Sequence, residues 1–197
     1  MKKLILGLCL VASTAYGQDY LYSGRSHSGS RLYFSQGASG EYSQLEAVVD
    51  HRDSSERWKG YAVKNSFGLE YHRFVDFGLT HSLITSKNMD NSWESLRGSR
   101  VTADLGLVFG SPVGNLRFGG GLVGSRLDYQ NSPISGSVYG SGTYYSIGLN
   151  YFITPRFSAY ADYQEYRERL TGDADFNQAL VVTRAADLGF TLWFGWL

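Results

Sequence analysis

The stretch Asp187-Leu-Gly-Phe-Thr-Leu-Trp-Phe-Gly-Trp-Leu197 alternates large apolar residues with small or polar ones. Side chains at every second position of an extended chain share a face, so one face of this stretch is wholly apolar. That face carries Leu188, Phe190, Leu192, Phe194 and Trp196, and the other carries Asp187, Gly189, Thr191 and Trp193. A strand of this kind suits a sheet with lipid on one side and a polar lumen on the other. The stretch therefore predicts a strand of a membrane-spanning β-barrel.

Further segments toward the N-terminus show the same alternation. They are 45–50, 63–72, 77–83, 101–109, 116–122, 145–151 and 159–164. Each segment is weak by itself, as the strands of such barrels are. Together with the last strand they predict an all-β protein, an eight-stranded antiparallel transmembrane β-barrel with an up-and-down meander.

The breaks between these segments alternate in length. The tight breaks are 73–76, 110–115 and 153–156, and the longer hydrophilic breaks are 52–60, 86–99, 130–138 and 167–178. The last strand of such a barrel ends in the periplasm, so counting backward places the tight breaks inside and the long breaks outside. Aromatic residues beside the breaks predict two girdles at the level of the lipid headgroups. The inner girdle would contain Tyr71, Phe74, Phe77, Tyr151, Phe152, Phe157, Phe194 and Trp196, and the outer one Trp58, Tyr61, Tyr129, Tyr139, Tyr163 and Tyr166.

The N-terminus has the pattern of an export signal. Lys2 and Lys3 precede a short apolar run, and Ala15-Tyr-Gly17 offers small residues for cleavage. The run is shorter than the ~20 residues that a spanning helix needs. We therefore expect a signal peptide at 1–17, a periplasmic arm or the start of the first strand at 18–40, and the barrel at 41–197. The expected location is the outer membrane of a Gram-negative cell.

Composition excludes several kinds of site. The single cysteine, Cys9, would leave with the signal, so no disulfide or cysteine-based metal site is expected. The chain has 18 basic and 18 acidic residues, a balance that argues against a nucleic-acid surface. The histidines His27, His51, His72 and His81 lack the spacing of metal ligands. We predict neither a metal nor a cofactor.

Charged residues at inward positions predict a polar network in the lumen. The acidic members are Glu46, Asp50, Glu70, Asp104, Asp162 and Asp187, and the basic members are Lys64, Arg100 and Arg117. The interior of an eight-stranded barrel is only wide enough for side chains, so this network should plug it. A proton or ion path is the alternative. His81 fits poorly, because its parity places it toward lipid, and a bulge or a shift of register there would resolve the conflict.

The export signal, alternating strands, short inner turns and aromatic last strand resemble the small outer-membrane barrels of the OmpA-transmembrane and OmpX/Ail type. Tyr160-Ala-Asp-Tyr-Gln164 also resembles the rhythm of inward acid and outward aromatic residues common in that family. The resemblance covers roughly 41–196 and implies the fold far more than the function. The family's last strand usually ends on an aromatic residue, whereas Leu197 follows Trp196 here.

The sequence favours a structural or surface-interaction role, in adhesion or envelope integrity, without catalysis. The expected partners are outer-membrane lipid and lipopolysaccharide, whose phosphates the charged loops suit, and the barrel-assembly machinery. The protein is expected to be a monomer. The alternative is a barrel that modifies lipid A or binds a small ligand.

Catalysis of that alternative kind would need a nucleophile beside an oriented base. His81 with Ser82 is one candidate pair, but adjacent residues of a strand point to opposite faces. The other candidate is His51 near Asp50 and Asp53, where no motif supplies a serine.

The outward row of the last strand, Phe190, Leu192, Phe194 and Trp196, is the expected assembly signal. We expect joint replacement of Phe194 and Trp196 by Ser to leave the protein unassembled in the periplasm, because the row loses its aromatic end. Leu197→Ala, the control, should change little. Cell fractionation and gel migration before and after heating measure the assembled fraction. A block of insertion by Leu197→Ala alone would contradict this assignment.

Overall fold

The computed structural model describes residues 30–49, 52–72, 74–91, 94–110, 113–131, 134–172 and 179–196. Their strands form one closed antiparallel barrel in which each strand pairs with its neighbours in the chain. The last strand closes the barrel against the first. The predicted fold class is therefore confirmed. Among the described residues there is no helix long and apolar enough to cross a membrane.

The strands are long, and their bounds define the two ends of the barrel. They are β1 (Arg31–Val49), β2 (Arg52–Tyr71), β3 (Val75–Asn88), β4 (Ser95–Gly110), β5 (Gly114–Asn131), β6 (Ile134–Thr154), β7 (Phe157–Gly172) and β8 (Ala179–Trp196). We call the end that holds Arg31, Trp196 and the connections 72–74, 111–113 and 155–156 the inner end. The opposite end is the outer end.

The register staggers the strands around the barrel. A path of directly paired residues that leaves β1 at Gln36 returns to β1 at Glu46, ten residues nearer the outer end. Such a stagger requires the strands to tilt against the barrel axis. The tilt sets the depth of every side chain discussed below.

The outer face carries an apolar band that begins at the inner end. Phe67, Leu79 and Leu188 are 52%, 59% and 67% exposed there. Water-soluble proteins seldom expose a continuous apolar surface of this extent. On β4 the band runs from Val101 to Phe109, which matches the roughly 9–11 residues with which a strand crosses a bilayer. The band is therefore the membrane-facing surface.

Exposed aromatic residues mark both edges of this band. Tyr71, Phe74, Phe109, Tyr151 and Phe194 lie at the inner edge, and Tyr61, Tyr139, Tyr145 and Tyr163 lie toward the outer edge. Trp58 and Tyr166, which the sequence placed in the outer girdle, are instead buried inside the barrel. The prediction is wrong for these two because their even-numbered positions face inward on β2 and β7. It is also wrong for Tyr129, which packs against Trp58, and for Phe152 of the inner girdle, which packs against Trp193 in the lumen.

Beyond the band, the strands continue toward the outer end, but their apolar side chains face the interior and their polar side chains face outward. The interior there is apolar and the outward positions are polar, as in a barrel that stands in water. Trp58 is 1% exposed at the centre of this core and packs edge-on against Tyr129. The core comprises Leu45, Trp58, Ala62, Ile84, Leu96, Leu127, Val138, Leu170, Ala179 and Val181, and we call it the outer cap.

The long hydrophilic loops predicted for the outer end are mostly strand. β2 already begins at Arg52, and β7 continues to Gly172, so the connections shrink to 50–51, 89–94, 132–133 and 173–178. The prediction is wrong because polar residues also line the water-facing side of strands that project beyond the membrane. The first strand is longer too, since 31–40 belong to β1. The proposed signal peptide and the rest of the arm lie outside the described residues.

His81 keeps the outward position that its parity predicts. The pairing of β3 with both neighbours is continuous through His81, with neither a bulge nor a shift of register. Its side chain is exposed on the membrane-facing band.

Candidate functional site

The lumen below the outer cap holds a stack of ion pairs. At the inner end, Arg31 Nε lies 2.9 Å from Glu70 Oε1. The guanidinium of Arg31 also covers the Trp193 ring at 3.7 Å from its centroid. The Trp193 indole N–H donates to Ser158 Oγ at 2.9 Å. These contacts fill the barrel where it opens toward the turns.

Arg117 forms the next level of the stack. Its guanidinium is paired with the carboxylates of Asp76 and Asp104, and its Nη1 donates to Ser146 Oγ at 3.1 Å. The Tyr33 hydroxyl donates to Asp76 Oδ2 at 3.1 Å. One cation on β5 thus joins carboxylates from β3 and β4 across the lumen.

Lys64 occupies the middle of the lumen and is 1% exposed. Its Nζ lies 3.4 Å from Asp187 Oδ2 and donates to Gln164 Oε1 at 2.6 Å. A weaker contact of 3.4 Å joins it to the hydroxyl of Tyr166. A buried ammonium needs such partners, because an uncompensated charge in the interior costs several kcal/mol.

Arg100 forms the outermost level, directly below the outer cap. Its Nη1 lies 3.0 Å from Glu41 Oε1, and its Nε lies 3.1 Å from Glu168 Oε2. Its guanidinium also lies over the Tyr166 ring, 4.1 Å from the centroid. A planar guanidinium suits both contacts at once, since it pairs with carboxylates and stacks on aromatic faces.

Inward-facing glycines provide the space for these large polar groups. A Cβ at Gly148 would collide with the carboxylate of Asp162, its direct partner on β7. A Cβ at Gly37 would likewise collide with the hydroxyl of Tyr160. The small residues on the inner faces are therefore needed to pack charged side chains into a narrow barrel.

Little free space remains inside. The polar part of the lumen contains a cavity of about 70 Å³ lined by residues such as Lys64, Asp76, Arg117 and Asp162. A second cavity, of about 20 Å³, separates Arg100 from the outer cap. These volumes hold only a few water molecules. The lumen is thus a packed interior, which can hold charges and move protons over short distances but offers no wide channel.

The structure brings most of the predicted lumen residues together. Lys64, Glu70, Arg100, Asp104, Arg117, Asp162 and Asp187 all face the lumen. The prediction for Glu46 is wrong: its side chain is exposed on the outside of β1, where it accepts a hydrogen bond from Gln44. Its inward neighbour is Leu45, because the interior at that height is the apolar outer cap. Asp50 lies outside the described residues.

The lumen also contains three carboxylates that the sequence pattern did not predict there. Glu41, Asp76 and Glu168 are buried. Glu41 borders the predicted arm, Asp76 lies in a predicted turn, and Glu168 lies in a predicted loop. Parity could have identified them, since Glu168 continues the inward row of Asp162 and Gln164. With them, the described lumen has more carboxylates than basic groups.

The catalytic candidates are not brought together. Ser82 is 1% exposed in the interior, whereas His81 is exposed on the membrane-facing surface. His51 lies outside the described residues, and no group of His, Cys, Asp and Glu side chains in the described chain could hold a metal ion. Of the proposed assembly residues, Phe190, Leu192 and Phe194 are exposed on the outer face of β8. The side chain of Trp196 is outside the described part.

Comparison with known proteins identifies the architecture. No protein-family model matches the chain, and no curated protein matches its sequence. Among solved structures, Neisserial surface protein A superposes with a TM-score of 0.60 at 15% identity, over 82% of this chain and 97% of that one. The chain has the fold of the small outer-membrane barrels.

Two Pseudomonas aeruginosa proteins extend this finding. The outer-membrane protein OprG matches with a TM-score of 0.56 at 11% identity, over 85% of this chain and 97% of that one. The N-terminal β-barrel domain of OprF matches with a TM-score of 0.50 at 17% identity, over 80% and 97%. At such low identity the likeness concerns the fold, and the function must be argued from the surfaces of this chain.

The outermost ion pairs lead to a prediction about stability. Arg100→Ala should lower the free energy of unfolding by about 3–5 kcal/mol, because two buried carboxylates lose their cation. Adding Glu41→Gln and Glu168→Gln should recover part of that loss. Urea unfolding in lipid vesicles, followed by circular dichroism, measures both effects. Arg156→Ala, in an exposed turn, is the control, and an equal loss there would contradict the prediction.

The packed lumen leads to a second prediction. We expect the purified protein to show no steady open-pore current in a planar lipid bilayer, since the cavities are discontinuous and the outer cap covers them. A wide-pore barrel inserted under the same conditions is the positive control. Large, steady currents from the unmutated protein would refute the packed lumen.

Proposed function

We propose that this protein is an outer-membrane barrel that strengthens the cell envelope by binding lipopolysaccharide at its outer leaflet. The outer end would face the cell surface. In this proposal the barrel neither catalyses a reaction nor transports a solute. The packed lumen supports the absence of transport and catalysis inside the barrel, because its two cavities are together too small for a substrate.

The supporting surface is a belt of basic side chains around the outside of the barrel. It comprises Arg57, Lys59, Lys87, Arg97, Arg126, Arg167, Arg169 and Arg184, and all of them are exposed. Among the strand side chains that the structure describes, the outward acidic ones are fewer: Glu46, Asp128 and Glu165. The chain as a whole is neutral, so this excess of positive charge is a local feature.

Five of the belt residues lie at the same distance along their strands from the membrane-facing band. Lys59 lies four residues beyond Val63, Lys87 four beyond Leu83, Arg97 four beyond Val101, Arg126 four beyond Leu122 and Arg184 four beyond Leu188. Four residues along a strand keep the side chains on the same face. Each of these five basic groups therefore follows the apolar band after one intervening outward position. In the proposed orientation this would place them at the level of the headgroups of the outer leaflet.

One cluster in the belt carries the proposal. Lys59 and Lys87 are direct partners across β2 and β3, and Arg97 follows on β4 beside them. Like charges placed opposite each other on a sheet are unfavourable. The ion pairs on the described surface involve Arg57, Arg167 and Arg184, whereas this cluster forms none among the described residues. Asp128 lies across from Arg97 on β5, but its carboxylate accepts a hydrogen bond from Ser137.

An anion would turn that repulsion into attraction. Lys and Arg are the side chains that bind phosphate, and Arg does so with two parallel hydrogen bonds. In the proposed orientation the anions available at this height would be the phosphates of lipopolysaccharide. Free phosphate from solution offers the same chemistry without the acyl chains, so an experiment must separate the two.

The test is the amount of lipopolysaccharide retained per barrel after purification in mild detergent and reconstitution. We expect Lys59→Gln, Lys87→Gln and Arg97→Gln together to remove most of the retained lipopolysaccharide, since the phosphate loses all three cations. The matched control is Arg57→Gln, Arg167→Gln and Arg184→Gln, which removes equal charge from residues that already have acidic partners.

The probes distinguish the sources of the anion. Lipopolysaccharide should bind, whereas its dephosphorylated form should not, and inorganic phosphate should compete only weakly because it lacks acyl chains to lie against the apolar band. Equal retention by both triple variants would refute the role of the cluster. Full competition by inorganic phosphate would instead indicate a site for a free anion.

A further inference from the structure

Three polar side chains form a row across the apolar outer face. Gln36 on β1 pairs with Asn65 on β2, and Asn65 pairs with His81 on β3. All three face outward, with Gln36 and His81 exposed and Asn65 half-buried. We call this row the polar strip.

The polar strip lies within the membrane-facing band. On β2, exposed Phe67 and Val63 flank Asn65 on either side, and on β3 exposed Leu79 and Leu83 flank His81. Lipid chains neither donate nor accept hydrogen bonds, so polar groups at this depth are unfavourable unless another group satisfies them. The position of the strip therefore calls for a partner.

The strip satisfies only part of its own hydrogen-bonding capacity. Gln36 Nε2 donates to Asn65 Oδ1 at 3.3 Å. Within the described chain His81 makes no hydrogen bond, and each amide has two donors and an acceptor. The other strands need no such partner, since their outward residues at similar depth are Ala103, Leu122, Ile147, Ala161 and Leu188.

We propose that the polar strip is the contact between two copies of this chain in the membrane. The strip has no group with a fixed charge, and amide and imidazole groups each supply both donors and acceptors. The strip can therefore complement a second copy of itself, whereas a charged partner would find no fixed opposite charge. A two-fold axis along the membrane normal beside Asn65 would set Asn65 against its counterpart. Gln36 would lie on the same side of the axis as His81 of the second copy, which is nearer the outer end because the row follows the stagger of the strands.

Small residues beside the polar strip permit close approach. Ala38 and Ala103 lie on the exposed face next to it, and Gly40 and Ala186 pair with each other on the same face farther toward the outer end. No atom lies within 4 Å of the position that a Cβ at Gly40 would occupy, so that surface is open. In membranes, helices associate through small residues and hydrogen-bonding side chains, and the same forces apply between barrels.

Disulfide cross-linking tests the proposed geometry, because the sequence contains a single cysteine, Cys9, in the predicted signal. Asn65→Cys should form a covalent dimer on mild oxidation in reconstituted vesicles, since the axis brings the two positions together. Leu122→Cys is the matched control, exposed in the membrane band on β5. Equal cross-linking of both variants would mean random collision and overturn the proposal. So would cross-links from Asn65→Cys only to other proteins in native membranes.

Energy transfer between fluorophores attached at Arg156→Cys provides a measurement that needs no disulfide at the contact. Replacing Gln36, Asn65 and His81 together by Leu should weaken association about tenfold, the size expected from losing polar contacts worth 1–2 kcal/mol. Thr143→Leu, an outward polar residue on β6, should leave the transfer unchanged. Retained heat-modifiable migration shows that each variant is folded, and Asn65→Leu alone is the milder alternative. Unchanged transfer in folded strip variants would favour the monomer expected from the sequence.

Discussion

The whole structure depends on closing a small sheet within lipid. The hydrocarbon layer offers no partner to a backbone N–H or C=O group, so every strand must pair on both sides and the last must meet the first. β8 therefore pairs with β1 along almost its whole length. Closing with only eight strands leaves a lumen as narrow as the side chains that fill it. The buried charges, the glycines opposite them and the small cavities all follow from that width.

The second constraint is the medium around the strands, which changes from lipid to water along the barrel. Where lipid surrounds the strands, outward residues are apolar and inward residues are polar, but where the strands stand in water the relation inverts. Inside the membrane, Lys64 and Arg117 can be buried because carboxylates on the facing strands neutralise them. Above it, Trp58 and Leu45 occupy equivalent inward positions, since water solvates the outer surface and hydrophobic burial can drive packing. The same strands thus follow the residue pattern of a membrane barrel in one part of their length and that of a water-soluble barrel in the other.

The two functional proposals concern different parts of the outer surface. One rests on unneutralised positive charge and the other on unsatisfied hydrogen-bonding groups. The basic belt has more positive charge than its acidic neighbours neutralise, and in the proposed orientation it would lie where anionic headgroups are abundant. The polar strip has hydrogen-bonding groups that lipid cannot satisfy, and it lies where only another protein can supply partners. The belt and the strip share β2 and β3, so lipopolysaccharide held by Lys59 and Lys87 would lie above a dimer contact at Asn65. Binding at one surface could then be measured for its effect on the other.

The sequence by itself determined the fold class, because alternation in eight segments is a local property that each strand expresses alone. It also identified most lumen charges, since parity within a strand sets the face of Lys64 or Asp162 without knowledge of neighbours. Only the tertiary structure decided where lipid ends and water begins, and thus why Glu46 faces outward while Leu45 fills the interior. Cross-strand register likewise comes from closure, so the grouping of Gln36, Asn65 and His81, or of Lys59, Lys87 and Arg97, depends on pairing between residues far apart in the chain.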